Sequence, residues 1–311
     1  MIREYALEPE LVASWSNRED YRYFIDKFGI GTPRAVSAFP KTWVERVWNC
    51  ASLERSLDHT RMVELLRRLK SCMVDRPSGS WNQEKAWLDN AIDEHECRNF
   101  HAILARNTPK RVAPVLSRAD LEKATSELWI VEDRKRIPRT TQDICAAASP
   151  LLSISRRICL IDRYFRASPD SKWMGPTEGF LKAAFENRST GQVRVEIHCS
   201  ADYDRAPASM HFKKECISGL SRLIPKGQSL HVIRWNRRTG GEDFHDRHIL
   251  TEIGGLLFSV GLDEGDSGKT TAVHILSKKE YELLWQQYLG PNPAFDPPKG
   301  EEPVDVEGKG Q

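Results

Sequence analysis

Phe244-His245-Asp246-Arg247-His248-Ile249-Leu250, continued by Thr251-Glu252-Ile253-Gly254-Gly255-Leu256-Leu257-Phe258-Ser259-Val260-Gly261-Leu262-Asp263, is the stretch whose reading decides the fold of the carboxy half. Side chains on a strand alternate with period two, so a strand starting here places His245 and Arg247 on one face, within reach of a single phosphate. The tripeptide His-x-Lys/Arg also occurs at His59-Thr60-Arg61 and His211-Phe212-Lys213. Both of those lie in segments of helical period, where residues two apart face different ways. His245 instead follows the turn signal Gly240-Gly241 and precedes a second strand.

Working outward, the carboxy half alternates strand and helix patterns. Helices are expected at Thr140 to Ser153, Thr177 to Phe185, Ser209 to Leu223 and Ser277 to Tyr288. Strands are expected at Arg157 to Asp162, Val193 to Cys199, Leu230 to Trp235, Arg247 to Leu250 and Gly255 to Val260, with Ala272 to Leu276 as a last edge strand. That alternation implies an α/β class: a mixed sheet covered by helices, over residues 139–290. The tail, 291–311, is rich in proline and acidic residues and is expected to be disordered, apart from a local contact by Phe295.

The amino half reads as a helical domain, 1–107. Tyr21 to Phe28, Lys41 to Ala51, His59 to Met73 and Gln83 to His95 carry apolar residues at three- and four-residue intervals. Breakers punctuate them, and Ser80 offers an N-cap. The tryptophans Trp15, Trp43, Trp48, Trp81 and Trp87 sit at helical spacing, which is the spacing of core residues. Asn107 to Pro114 is the linker candidate, and 108–138 the connecting segment.

Composition sets limits on partners. A formal net charge of +2 leaves any binding of nucleic acid or anionic lipid to a local patch. The seven cysteines are widely spaced without a CxxC pair, so neither a disulfide framework nor a metal site is indicated, and no cofactor is expected. The first residues lack the apolar core of a signal peptide, and no run reaches a membrane span, so a cytoplasmic location is expected. Gly265-Asp266-Ser267-Gly268-Lys269-Thr270-Thr271 has Asp263 where a phosphate-binding loop needs glycine, and a strand pattern follows it.

The 244–263 stretch closely resembles the "HDR … GG … GLD" signature of the phospholipase-D-like C-terminal domain of MIT-domain proteins. The resemblance covers about half of the chain. Ile161-Asp162-Arg163-Tyr164-Phe165 similarly resembles the "IDPYF" strand end of related bacterial proteins. In that superfamily one histidine attacks phosphorus and a second protonates the leaving oxygen. The resemblance gives His245 the nucleophile position, Arg247 the place of the usual lysine, and Glu252 the place of the aspartate. The Gly-Ser-x-Asn element is replaced by Ser259-Val260-Gly261-Leu262, without its asparagine.

Catalytic candidates are therefore His245 and Arg247. Substrate-binding candidates are Asp162, Arg163, His198, Ser200, Asp246 and Glu252, with Asp162 able to orient a histidine or, equally, to cap a strand end. The cluster Arg234-Trp235-Asn236-Arg237-Arg238 has the composition that holds a nucleic-acid backbone, or that of a solvated hairpin tip. Three functions remain open. The first is a phosphate-recognising, nucleic-acid-directed component of a multi-protein bacterial system, such as anti-phage defence, with other subunits as partners. The second is an active phosphodiesterase or nuclease in which a homodimer pairs two half-sites. The third is a non-catalytic module docking a membrane surface or a protein.

Overall fold

The computed structural model describes the chain apart from residues 52–55, 77–80, 109–113, 124–125, 187–192, 245–246 and 311. Two compact units emerge, Ile2–Asp133 and a second beginning at Arg134. Ser80 and most of the linker candidate lie outside the described residues.

The first unit runs β1 (Arg3–Leu7), α1 (Pro9–Ser14), α2 (Arg18–Phe24), β2 (Arg34–Ser37), α3 (Trp43–Cys50), α4 (Ser56–Lys70), β3 (Met73–Val74), α5 (Trp87–Cys97), β4 (Ala102–Ala105), β5 (Val115–Ser117) and α6 (Arg118–Lys123). Its strands form a parallel sheet in the order β3-β2-β1-β4-β5. The expectation of a helical domain is thus corrected: this unit is also α/β. Helices do fall where the apolar period placed them, but the strands between them escaped notice. The physical reason is burial on both faces. β2 and β4 are buried at every residue, so they carry no period-two alternation and are too short to read as apolar runs.

One face of this sheet packs through Leu7 and Val36 against α1 to α4, where Trp15 and Trp43 are fully buried. The other packs Ala6 and Ile103 against α5, with Trp87 and Ala91. Trp15, Trp43 and Trp87 are therefore core, as their spacing indicated, while Trp48 and Trp81 are half-buried at the margins of these clusters. Arg76, 2% exposed, grips Glu4 on β1 in a two-pronged pair at 2.8 and 3.0 Å and Glu94 on α5 at 2.7 Å. Those bonds satisfy a guanidinium that burial alone would make costly.

The second unit runs β6 (Arg134–Pro138), α7 (Thr141–Leu152), β7 (Arg157–Asp162), α8 (Met174–Phe185), β8 (Arg194–Ser200), α9 (Ser209–Leu220), β9 (Ser229–Trp235), β10 (Arg247–Thr251), β11 (Gly254–Phe258), β12 (Thr270–Ile275), α10 (Lys278–Leu289) and β13 (Val304–Glu307). The eight-stranded order is β13-β9-β8-β7-β10-β11-β12-β6. β7, β8 and β9 are mutually parallel, and the remaining pairs are antiparallel. This is the mixed sheet with helices that the alternation implied.

Two expectations at the sheet's margins are corrected. β12 is not an edge, because β6 pairs outside it. The tail is not free of structure: β13 pairs with β9, burying Val304 and Val306 while Asp305 and Glu307 face outward. Proline and acid content concealed that alternation because the run is only four residues long. Phe295 is 2% exposed and packs on Trp235, Phe244 and Tyr288. Among the described residues no helix is long and apolar enough to cross a membrane.

Candidate functional site

Because β7, β8 and β9 are parallel, their carboxyl ends, Asp162, Ser200 and Trp235, come to one edge. β10 runs the other way and starts at that edge, with Arg247 opposite Asp162. Chain topology thus gathers residues from four strands where α/β sheets expose their loops. His245 and Asp246, which precede Arg247, lie outside the described residues.

Around this edge Arg163 and Arg247 approach one aromatic ring. Their guanidinium carbons lie 5.5 and 6.0 Å from the centroid of Tyr164, which is 39% exposed. Tyr203, in the turn after β8, meets Tyr164 edge-on at 5.3 Å. Arg163 is steadied by donating to the Asp202 carbonyl at 3.2 Å. Tyr164 was quoted in the sequence motif without a role, and Tyr203 was missed; its only sequence signal is its place three residues beyond a strand end. Cations near an exposed tyrosine are chemically suited to an oxyanion beside a flat ring.

Asp162 serves structure at this edge. Its Oδ1 accepts the N–H of Tyr164 at 3.0 Å and its Oδ2 accepts the N–H of Leu262 at 2.9 Å. Burial raises its carboxyl above the ordinary value, against those two bonds, which lower it. The Gly261-Leu262-Asp263 turn is held from its other side by Arg139, which donates to Asp263 at 2.5 Å.

His198 does not join Arg247. It registers with Ile161 on β7, one step out of phase with Asp162, and so projects from the opposite face. There its Nδ1 accepts from Trp235 Nε1 at 3.1 Å, and Tyr288 of α10 meets its ring edge-on. Ser200 shares that phase, and its Oγ accepts from the Asp202 N–H. Both residues are at most 4% exposed, so neither lines an open pocket.

Cys159, Glu196 and His198 bring ligand-type atoms within 4.8 Å of one another on this buried face. The trio does not fit a metal ion. Indole N–H is a donor only, so His198 Nδ1 must be the bare nitrogen and the ring proton resides on Nε2, the nitrogen that points toward Glu196. A ligating imidazole needs the reverse arrangement. The cation beside Glu196 is instead Arg194, at 2.6 Å. Burial raises the Glu196 carboxyl, yet the neighbouring His198 and Arg194 lower it more, to about 2. Burial pushes His198 down, Glu196 opposing, and keeps the imidazole neutral.

The basic cluster is also redistributed. Arg234, 5% exposed, forms a two-pronged pair with Glu301 and donates to Pro207 O. Arg237 pairs with Asp243 and Arg238 with Asp296, while the Asn236 backbone bridges to Asp296. Trp235 is 8% exposed and engaged with His198. Arg234 is therefore a buried clamp, while Arg237 and Arg238 stay exposed in surface ion pairs; sequence showed the cations but not the acids that meet them. Glu252 is displaced too. It lies past Thr251, which pairs with Ile158 at the far end of β7, and its carboxylate accepts the N–H groups of Arg156 and Arg157. Five residues of strand put it about 16 Å from Arg247.

No family model matches the chain, and no curated protein matches it. Among solved structures the chain is similar to TrmBL2, described as an archaeal chromatin protein with a novel mode of DNA binding. Identity is 12%, over 78% of this chain and 86% of that one, with a TM-score of 0.23. Similarity at that level carries neither fold nor function across.

Proposed function

We propose that the second unit is a phosphate-recognising, nucleic-acid-directed module on a degenerate phospholipase-D-like site, serving a multi-protein bacterial system. The observation that carries this reading is the approach of Arg163 and Arg247 to Tyr164 at the carboxyl edge of β7. Arginine offers a planar fork for phosphate oxygens, and each phosphate contact releases counterions, giving affinity that falls with salt. The His245 motif supports the same edge, since Asp246 alone lies between His245 and Arg247.

Fluorescence anisotropy with labelled DNA and RNA oligonucleotides over a salt series tests the proposal. Binding that weakens steeply with salt, and that the double change Arg163→Ala, Arg247→Ala reduces by about tenfold or more, is expected. Absent or salt-insensitive binding overturns it. Hydrolysis of the same oligonucleotides that vanishes in His245→Ala would extend the reading from recognition to cleavage.

A further inference from the structure

The first unit contains a cavity of about 430 Å³ whose walls come from α1, α3 and Trp87 at the start of α5. In the order β3-β2-β1-β4-β5 the winding reverses at β1, and a doubly wound parallel sheet leaves a crevice beyond its carboxyl ends at such a point. α1 directly follows β1, and α3 follows β2, so both helices begin at that end. They belong to the layer on one face of the sheet, whereas Trp87 belongs to the layer on the other. The cavity therefore opens where the two helical layers part. Nearby, Glu8 accepts the backbone N–H of Arg106 and pins the end of β1 to the end of β4.

The lining narrows the ligand. The turn after β1 reads Glu8-Pro9-Glu10, without glycine and with proline at the helix start. It provides neither the amide cradle nor the close backbone approach that a pyrophosphate needs. Glu10 and Glu45 both line the cavity, and two carboxylates repel a phosphate. Carboxylates do accept hydrogen bonds from hydroxyls, which is how sheets of this kind hold a ribose. Arg46 lines the same space, its Nε donating to Thr42 Oγ1 at 3.2 Å and its guanidinium 4.5 Å from the Trp81 centroid. A guanidinium pairs in its plane with acceptors such as those on a base edge, and Asn49 adds a donor and an acceptor to the same lining. The volume falls within the usual range for small-molecule sites.

We infer that this crevice binds a ribonucleoside that carries no phosphate, with its vicinal hydroxyls on Glu10 and Glu45 and its base edge on Arg46 and Asn49. The site is independent of the nucleic-acid edge proposed for the second unit. Adenosine, guanosine, cytidine and uridine, each with its 2′-deoxy and 5′-diphosphate forms, are titrated into the full chain by calorimetry. At least one ribonucleoside is expected to bind, with its deoxy and diphosphate forms weaker by about tenfold or more. Glu10→Gln and Glu45→Gln should each weaken it similarly while leaving the unliganded melting temperature unchanged. The bound ribonucleoside should also slow alkylation of Cys50, an exposed thiol on the cavity wall, and leave that of the exposed Cys97 unaltered. No binding by any of the four at about 5 mM, equal affinity for the diphosphates, or wild-type affinity in both variants overturns the inference.

Discussion

Asp162 Oδ2 accepts the backbone N–H of Leu262 at 2.9 Å, tying the end of β7 to the turn after β11 across a hundred residues of chain. The bond explains why a strand-end aspartate and a Gly-Leu-Asp turn occur in one sequence: each needs the other to satisfy a buried polar group. In Asp162→Ala the Leu262 N–H loses its acceptor, and unfolding free energy should fall by about 1–3 kcal/mol in urea titrations. Asp162→Asn keeps one acceptor oxygen and should lose less. Equal losses in the two variants would remove the hydrogen bond as the cause.

Arg234 and Glu301 make a second long-range tie, at 2.5 Å, between β9 and the segment leading to β13. Glu301→Ala strands a buried guanidinium and should cost about 3 kcal/mol, whereas the exposed neighbour Glu302→Ala should change stability by less than about 0.5 kcal/mol. Indistinguishable urea midpoints for the two variants would show that the tail is not anchored through this pair.

Acid should weaken the second unit in two stages. The folded value of His198 is lowered from 6.5, so the stability gained by keeping it neutral is present above that pH and lost as pH falls below it. The folded value of Glu196 is lowered from 4.5 to about 2, so its contribution is present above 4.5 and lost as pH falls toward 2. Glu196→Gln should reduce stability at pH 7 by on the order of 2 kcal/mol and flatten the limb below pH 4.5. Denaturant midpoints measured from pH 7 to 2.5 decide this; an unchanged limb in the variant would assign the acid loss to other groups.

Nucleic-acid binding should distinguish two sets of arginines. The change Arg163→Ala with Arg247→Ala should lower the slope of log affinity against log salt by about 2, one for each phosphate contact. Arg237→Ala and Arg238→Ala, whose side chains already pair with Asp243 and Asp296, should each change affinity by less than about threefold. The opposite ranking would move the interface from the sheet edge to the β9 turn.

Sequence revealed the two units unequally, for physical reasons. Arg157 to Asp162 matched its strand residue for residue, because a long apolar run leaves a local mark, whereas the helix expected from Thr140 to Ser153 spans Thr141–Leu152, with those two residues as its caps. Strands such as Ala102–Ala105 leave none, since burial on both faces erases alternation. The edge itself was legible in Asp162, Arg163 and Arg247, each at a strand end or start. What separated His198 from them was a register offset of one residue, and what neutralised Arg234 was an acid 67 residues away. Register and distant pairing are properties of the folded chain, and no local pattern encodes them.

The outermost strands of the eight-stranded sheet come from the two ends of its own segment, β6 at the beginning and β13 at the close. Arg134 must wait for His274 to be synthesised before it finds its neighbour, and β9 waits for Val304. A ribosome releasing this polypeptide therefore lets the amino-terminal sheet, whose last strand ends at Ser117, assemble well before the second can seal its borders. Until β13 emerges the flank of β9 is bare, which makes premature termination near residue 300 an event apt to yield aggregating fragments.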